Sequence, residues 1–218
     1  MKKQYIVNAN GLEVYYDADI LQKIEKRLGS LKDQKYKVLK NAINATVKKA
    51  QTDLVDKARE EYTAKKSPLK KAMKVKKATN SRPEGEIDVS GETLEVRNFK
   101  ATAPASGAKA QILTSGSLKL IQSQRGKKAR AFLATFASGH TAIVQRQEGE
   151  SYTHAPSISS RKEKWGPHAD MTRIKKLLAI SFPKMVGGEK VYGALAPSIY
   201  DNLQENITKE IDRVVKGA

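Results

Sequence analysis

Histidine is the side chain best suited to acid–base chemistry near neutral pH, and this chain has three, at His140, His154 and His168. They follow one another at steps of 14 residues, which does not match the close spacing of a helical metal-ligand pair. His140 stands in the stretch AFLATFASGHTAIVQRQ, and the sequence between Glu95 and Glu148 contains no other carboxylate that could orient it. The sequence therefore predicts that His140 turns a hairpin corner and is not a catalytic base.

The charges near His140 in the sequence are all positive. Lys127, Lys128 and Arg130 precede it and Arg146 follows it. Like charges disfavour the protonated form of an imidazole, so we expect this histidine to be held neutral.

The sequence does not contain the residue spacing of other catalytic motifs. The phosphate-binding patterns GxxxxGK[ST] and GxGxxG are absent, and SGSLKLIQS is not the sharp turn that exposes a nucleophilic serine. The chain has no cysteine, which excludes a disulfide framework and thiolate metal ligands. No catalytic residue, cofactor or metal site is predicted, and an enzyme is not expected; a site assembled from distant residues is the alternative.

The distribution of apolar residues also shows no membrane-spanning segment and no secretion signal. No apolar run approaches the roughly 18 residues that a membrane helix needs, and the two lysines near the start are not followed by an apolar segment. We therefore expect a protein made in the cytosol that does not contact a membrane.

Positive charge dominates the composition, with 41 basic and 23 acidic residues and a formal net charge of +18. Residues 62–83 contain eight basic residues and no acidic one, and residues 96–147 contain nine and none. Such an excess attracts polyanions such as DNA, RNA, acidic membranes or acidic proteins, although a solvated outer face is the alternative. The candidates to face DNA are Lys70, Lys71, Lys74, Lys76, Lys77, Arg125, Lys127, Lys128 and Arg130.

Two long amphipathic helices are predicted from apolar residues at three- and four-residue steps. The first covers about residues 33–65, and the second covers about residues 197–217. Pro197 suits the first position of the second helix, and Asp201 is expected in its first turn. A shorter helix before Gly29 follows a short strand.

Alternating apolar residues between the long helices predict an antiparallel sheet. Ile87 and Val89 are expected to form a hairpin with Leu94 and Val96, and further strands are expected up to Pro183. Residues 148–171 are polar and scattered with glycine and proline, so they are predicted to be a long exposed loop. The result is an α+β class: the long first helix and the C-terminal helix packed on an antiparallel β-sheet. We divide the chain into an N-terminal extension, 1–32, and an α+β domain, 33–218, with the loop inserted at 148–171.

Three segments in register resemble the minor tail protein Z family of phage tail-completion proteins. These are LEVRNFKATAP, ARAFLATFASGHTAIVQRQEG and RIKKLLAISFPKMVGG, and the last carries Ile174, Lys175, Leu177, Ser181, Pro183 and Met185. The resemblance covers roughly residues 37–215. The chain departs from it at Ala179-Ile180, where the family shows Gly-Pro, in the longer segment 148–171, and in its extra N-terminal residues.

The resemblance implies a structural virion protein that completes the head-proximal end of a phage tail. It implies assembly in the host cytoplasm and a homo-oligomeric ring, of six copies, at the neck. The implied neighbours are the tail terminator, the head–tail connector and the tape-measure protein, and genomic DNA would pass through the ring with nonspecific contacts. The rival functions are a sequence-nonspecific nucleic-acid-binding protein and a tail-tube or baseplate adaptor.

Docking residues are expected in the parts that depart from the family pattern and in the matched C-terminal motif. Exposed aromatic side chains are favoured anchors at protein interfaces. The docking candidates are Tyr15, Tyr16, Tyr152, Trp165, Ile174, Leu177, Ser181, Pro183 and Met185.

Overall fold

The computed structural model describes residues 5–8, 11–14, 18–91, 93–121, 130–153 and 155–217. The chain forms two compact units: unit 1 comprises residues 1–92 and 180–218, and unit 2 comprises residues 93–179. In chain order the strands and helices are β1 Tyr5–Asn8, β2 Gly11–Val14, α1 Ala18–Leu28, α2 Lys35–Glu61, α3 Lys66–Ala72, β3 Met73–Lys76, β4 Gly85–Val89, β5 Thr93–Glu95, β6 Lys100–Thr102, β7 Lys109–Gln111, β8 Lys119–Leu120, β9 Phe132–Thr135, β10 Thr141–Ser151, α4 Ala155–Trp165, β11 Thr172–Lys176, β12 Leu178–Ser181, α5 Phe182–Val186 and α6 Ala194–Lys216.

Unit 1 contains an antiparallel four-stranded sheet in the order β1-β2-β4-β3. Strand β4 alternates between buried and half-buried residues, so Gly85, Ile87 and Val89 share its inner face. Helix α2 lies against this face over β3 and β4. The α+β class predicted from the sequence is confirmed.

The core of unit 1 lies along α2. Ten of its residues are buried, at the three- and four-residue steps that the sequence predicted. Helix α6 packs on α2 through a second apolar stripe that includes Ile199, Leu203 and Ile207. Thr46 is a buried polar residue of α2, and it accepts a hydrogen bond from Asn206 Nδ2 (3.0 Å) while donating to the Ala42 carbonyl (2.9 Å). Its hydroxyl is therefore satisfied inside the helix pair.

Residues of the expected N-terminal extension take part in this core. Leu12 and Val14 on β2 are buried, and β2 pairs with β4. On α1, Ile20, Ile24 and Leu28 are buried, and α1 contacts both α2 and α6. Unit 1 thus includes described residues on both sides of the boundary proposed at residue 32.

Unit 2 is built from short antiparallel strands. One sheet has the order β11-β10-β9 and another the order β6-β7-β8. Its buried cluster consists of Val96, Ala108, Ala131 and Ile143, with Leu177 and several alanines packed against it. Most of the side chains in this cluster and packed against it are small.

Two predictions about the strands and the polar segment are wrong in detail. Strand β4 pairs with β2 and β3 and does not form a hairpin with β5, which pairs with β12. The alternation was correct, but alternation alone does not choose a pairing partner. Within the predicted loop 148–171, the structure has the end of β10 and the helix α4, whose second residue is Pro156, a position where proline favours a helix start.

The start of the C-terminal helix also differs from the prediction. A single π turn, Glu189–Gly193, leads directly into α6, so Pro197 lies inside the helix rather than at its first position. Asp201 consequently lies beyond the first turn.

We expect Gly85→Ala to destabilise the protein. A Cβ at this position would lie 2.7 Å from the Cγ2 atoms of both Ile43 and Val47, and these β-branched side chains have little rotamer freedom in a helix. Overpacking of this kind costs about 1–3 kcal/mol, which urea or thermal unfolding would measure. Gly193→Ala is the matched control, because its nearest contact is 3.4 Å away and its backbone is helical. Equal stability of the two variants would contradict the tight contact between β4 and α2.

Candidate functional site

The hairpin between β9 and β10 places His140 beside a carboxylate. Gly139, with φ of +78°, completes the turn, and the Phe136 N–H donates to the His140 carbonyl (2.8 Å). The position of His140 at a hairpin corner is as predicted. Its Nε2 lies 2.9 and 3.0 Å from the two carboxylate oxygens of Glu95, which is a residue of β5.

This contact corrects the expectation that no carboxylate offsets the positive charge around His140. The partner comes from 45 residues earlier in the chain, so no local pattern could have revealed it. Lys176 Nζ also lies 3.1 Å from Glu95 Oε1, so His140 and Lys176 share one carboxylate. The sequence around His140 contains only positive charges, but in the structure the Glu95 carboxylate attracts the charged form of the imidazole.

The Glu95 carboxyl is mostly buried, and its environment sets its pKa. Burial alone would raise the pKa, but hydrogen bonds from Lys176 and His140, with their charges, outweigh that effect and hold the pKa below its usual value. The cluster ties β5, β11 and the β9–β10 hairpin together within unit 2. Arg97 adds another link through a hydrogen bond to the Thr141 carbonyl.

The chemistry available to this cluster is limited. The imidazole faces a carboxylate and a lysine, and the sequence provides no cysteine nucleophile. Across the described part of the chain, no three His, Asp or Glu side chains are grouped so as to hold a metal ion. The arrangement is that of an ion-pair cluster that joins strands.

The basic residues of β3 face acidic residues across the sheet. In the register of β3 and β4, Lys74 lies opposite Asp88 and Lys76 opposite Glu86, and Lys76 Nζ is 3.0 Å from Glu86 Oε2. This cross-strand pairing offsets part of the positive charge that is predicted from the sequence to contact DNA.

The remaining basic candidates of unit 1 are more available. Lys70 and Lys71 on α3, and Lys77 after β3, are exposed. Among the described residues, none of these three lies within 4.0 Å of a carboxylate oxygen, whereas Lys66 pairs with Asp56. They are the part of this basic surface that could still meet a polyanion.

In unit 2, one of the four basic candidates can be placed. Arg130 is exposed, and its Nη1 donates to the Ser106 carbonyl (3.2 Å). Arg125, Lys127 and Lys128 lie outside the described residues.

The aromatic docking candidates differ in how free they are. Trp165, at the end of α4, is 68% exposed and so does not fold back onto the protein. Tyr152 is half-buried: the Arg161 guanidinium lies 4.2 Å from its ring centroid, and the Ile174 N–H donates to its hydroxyl (3.4 Å). Trp165 is therefore the better anchor of the two. Tyr15 and Tyr16 lie outside the described residues.

The candidates from the C-terminal motif are spread over both units. Met185 is fully buried, so its assignment as a docking residue is wrong: it belongs to the core of unit 1, because α5 packs on α2 and β4. Ser181 and Pro183 are half-buried at the start of α5. In unit 2, Ile174 is half-buried, and Leu177 packs against the small-residue core.

An apolar feature of unit 2 was missed from the sequence. Leu113, Leu118 and Leu120 are exposed, on or next to β8 and its preceding loop. The alternation of Leu118, Lys119 and Leu120 was the available signal, but the segment SGSLKLIQS was considered only as a possible nucleophile turn.

A comparison with protein families matches residues 21–216 to the prophage minor tail protein Z family. The chain belongs to the minor tail protein Z family. Membership indicates a structural protein of a phage tail, and it favours such a role over catalysis. Searches of curated proteins and of solved structures found no match.

The minor tail protein Z match begins earlier in the chain than the three motifs that resemble the family. It starts at residue 21, within α1, so part of the expected N-terminal extension lies inside the family region. None of the described helices of this tail protein is long and apolar enough to cross a membrane.

We expect the ion-pair cluster to make the stability of this minor tail protein pH-dependent. Because the pKa of Glu95 is lowered in the folded state, its contribution is complete above the ordinary glutamate pKa of 4.5 and is lost as the pH falls through the folded value. Glu95→Gln should lower the free energy of unfolding by about 1 kcal/mol at pH 7, and the difference should shrink below pH 4.5. Urea unfolding at several pH values measures it.

The control is Glu163→Gln, which removes an exposed carboxylate from α4. A difference between wild type and Glu95→Gln that is the same at pH 3.5 and pH 7 would show that the carboxylate charge is not what stabilises the strands.

Proposed function

We propose that this protein completes the head-proximal end of a phage tail as a ring of identical subunits, six in number, at the neck. The ring joins the tail terminator to the head connector, with the tape-measure protein as a further neighbour, and DNA passes through it. The observation that carries the proposal is the family match over residues 21–216. Identical subunits with head-to-tail contacts close into rings when the rotation permits, which suits a tubular neck.

The charge distribution supports nonspecific contact between this ring and DNA. Unit 2 carries 15 basic and 5 acidic residues. Exposed lysines of unit 1, Lys70, Lys71 and Lys77, add cations that no described carboxylate offsets. Phosphate contacts of this kind hold a polymer without reading its sequence, as a conduit requires.

A deletion of the coding sequence in the phage tests the assignment to the neck. We expect filled heads and separate tails to accumulate, because the tail end that docks on the head is incomplete, and electron microscopy would count both. Complementation with the wild-type chain should restore joined particles, and a tagged copy should label the head-proximal end of the tail. Joined, infectious particles without the protein would overturn the proposal, as would a label at the distal end.

The same complementation assay tests Trp165 as a docking anchor. An indole that is 68% exposed has little to stabilise within its own subunit, so Trp165→Ala should fold normally. We expect at least a tenfold loss of joined particles if the ring uses it, since interface anchors contribute about 2 kcal/mol or more. Leu178→Ala, at another exposed apolar position, is the control. Unchanged particle yield with Trp165→Ala would remove it from the interface.

DNA contact is tested by neutralising Lys127, Lys128 and Arg130 together to glutamine. We expect particles to lose their genome faster at low salt, with a smaller difference from wild type at high salt, because screening removes the same attraction. Genome retention is measured as DNase-resistant DNA over time. The control neutralises the same number of charges at Lys49, Lys57 and Lys66, which already pair with Asp53, Glu60 and Asp56. Equal behaviour of the two variants at every salt concentration would place the three residues away from DNA.

A further inference from the structure

The outer face of the β6-β7-β8 sheet combines cations with exposed leucines. Its inner face carries Ala101 and Ala110, which pack on the core of unit 2. The register places Thr102, Lys109 and Leu120 in one row on the opposite face, with Lys100 and Gln111 in the next row. We call these five residues the leucine–lysine face, and no acidic residue occurs anywhere in residues 96–147.

The loop before β8 is held in shape beside this face. Gln111 Nε2 donates to the carbonyls of Leu113 (3.2 Å), Thr114 (3.1 Å) and Gly116 (2.8 Å). These bonds fix a loop whose Leu113 is 47% exposed. A preorganised loop loses less conformational entropy on binding than a loose one, so its apolar side chain suits an interface.

Leu120 adds a second apolar contact next to a cation. A Cβ on Gly107 would lie 3.0 Å from Leu120 Cδ1 and 3.5 Å from Arg130 Cδ, so these two side chains lie close to one another. Leu120 is 41% exposed. Exposed leucines contribute nothing to a phosphate contact, and apolar side chains rimmed by charge are typical of a protein interface.

A surface of the opposite charge exists on the same chain. On α6, Asp201 and Glu205 lie one turn apart on the same face, and Tyr200, the residue before Asp201, is 37% exposed. The sequence has no lysine or arginine between Lys190 and Lys209. Asp201 lies farther than 4.0 Å from every basic nitrogen of the described residues, while Glu205 pairs with Lys209 (2.6 Å).

We propose that the leucine–lysine face of one subunit docks on the segment Tyr200–Glu205 of α6 in a second copy. Lys109 then meets Asp201 and Glu205, and Leu120, with Leu113 beside the face, covers Tyr200. The two faces are different surfaces, so the contact is head-to-tail, and this is the kind of contact that builds a ring. The inference rests on the proposed ring and names the surfaces that form it.

Cysteine cross-linking tests the contact in assembled tails. The chain has no cysteine, so introduced thiols are the only ones on this subunit. Tails carrying Leu120→Cys together with Tyr200→Cys are treated with a short bis-maleimide and analysed by denaturing gel and mass spectrometry. We expect a ladder of covalent multimers up to the ring size. The control pair is Leu133→Cys with Tyr200→Cys, since Leu133 is exposed on β9 in a different sheet.

Three results would overturn the docking contact. The first is monomer alone from tails that contain the protein, and the second is an equal ladder from the control pair. The third is a cross-link to a different tail protein. A dimer from tails that carry Leu120→Cys alone, in which Leu120 positions of two copies are joined, would count in the same way. The label at the head-proximal end tests the function separately, so a correctly located protein without a ladder would remove the contact and leave the proposed function standing.

Charge reversal provides an independent measurement. With the cysteine pair in place, Lys109→Glu and Asp201→Lys should each lower the yield of multimers by about tenfold, because like charges then face each other. The two reversals together should restore it. If each single reversal leaves the yield unchanged, or if the double reversal fails to restore it while the protein stays folded, Lys109 does not face Asp201.

Discussion

The burial of α2 from two sides is the constraint on which unit 1 depends. One side of the helix accepts β4, where Gly85 permits a contact too close for any side chain, and the other accepts α6. A helix covered on both sides needs an apolar surface wider than the usual stripe, and α2 supplies it with ten buried residues, including Thr46, whose hydroxyl is bonded to α2 and α6. Helix α1 also contacts α2, and β2 extends the sheet beside β4, which explains why the N-terminal residues lie in this unit.

Much of this arrangement follows from local pattern. The apolar stripes of α2 and α6 and the hairpin of β9 and β10 could be predicted from the sequence. The spacing of apolar residues along the chain indicates which side chains are buried. Pairing between distant strands was not readable: β4 has the alternation of a hairpin strand, but its partners are β2 and β3. Helix α4 was missed because its apolar content is too low to mark a stripe, so the glycines and prolines around it dominated the interpretation.

The candidate sites show the same division. His140 was placed correctly at a turn, yet its ionic environment was wrong because Glu95 approaches from 45 positions away. Exposed Lys70 and Lys71 could be recognised from charge alone, whereas the offset of Lys76 by Glu86 depends on strand register. Met185 matched a family motif and was taken for an interface residue, but full burial makes it a core residue. A motif identifies a shared position without saying which way its side chain points.

The positions of the acidic residues in unit 2 show which of its strands have carboxylates beside their basic residues. Glu95 is shared by His140 and Lys176, Glu150 faces Arg173, and Asp170 pairs with Arg146. These carboxylates serve β5, β10 and β11, and none belongs to the β6-β7-β8 sheet, where the sequence provides no acid at all. Lys109 thus lies in a sheet that has no acidic residue of its own, beside leucines that the core of the unit does not cover. The segment Tyr200–Glu205 of α6 offers both a complementary charge and an exposed tyrosine, whereas DNA offers only the charge.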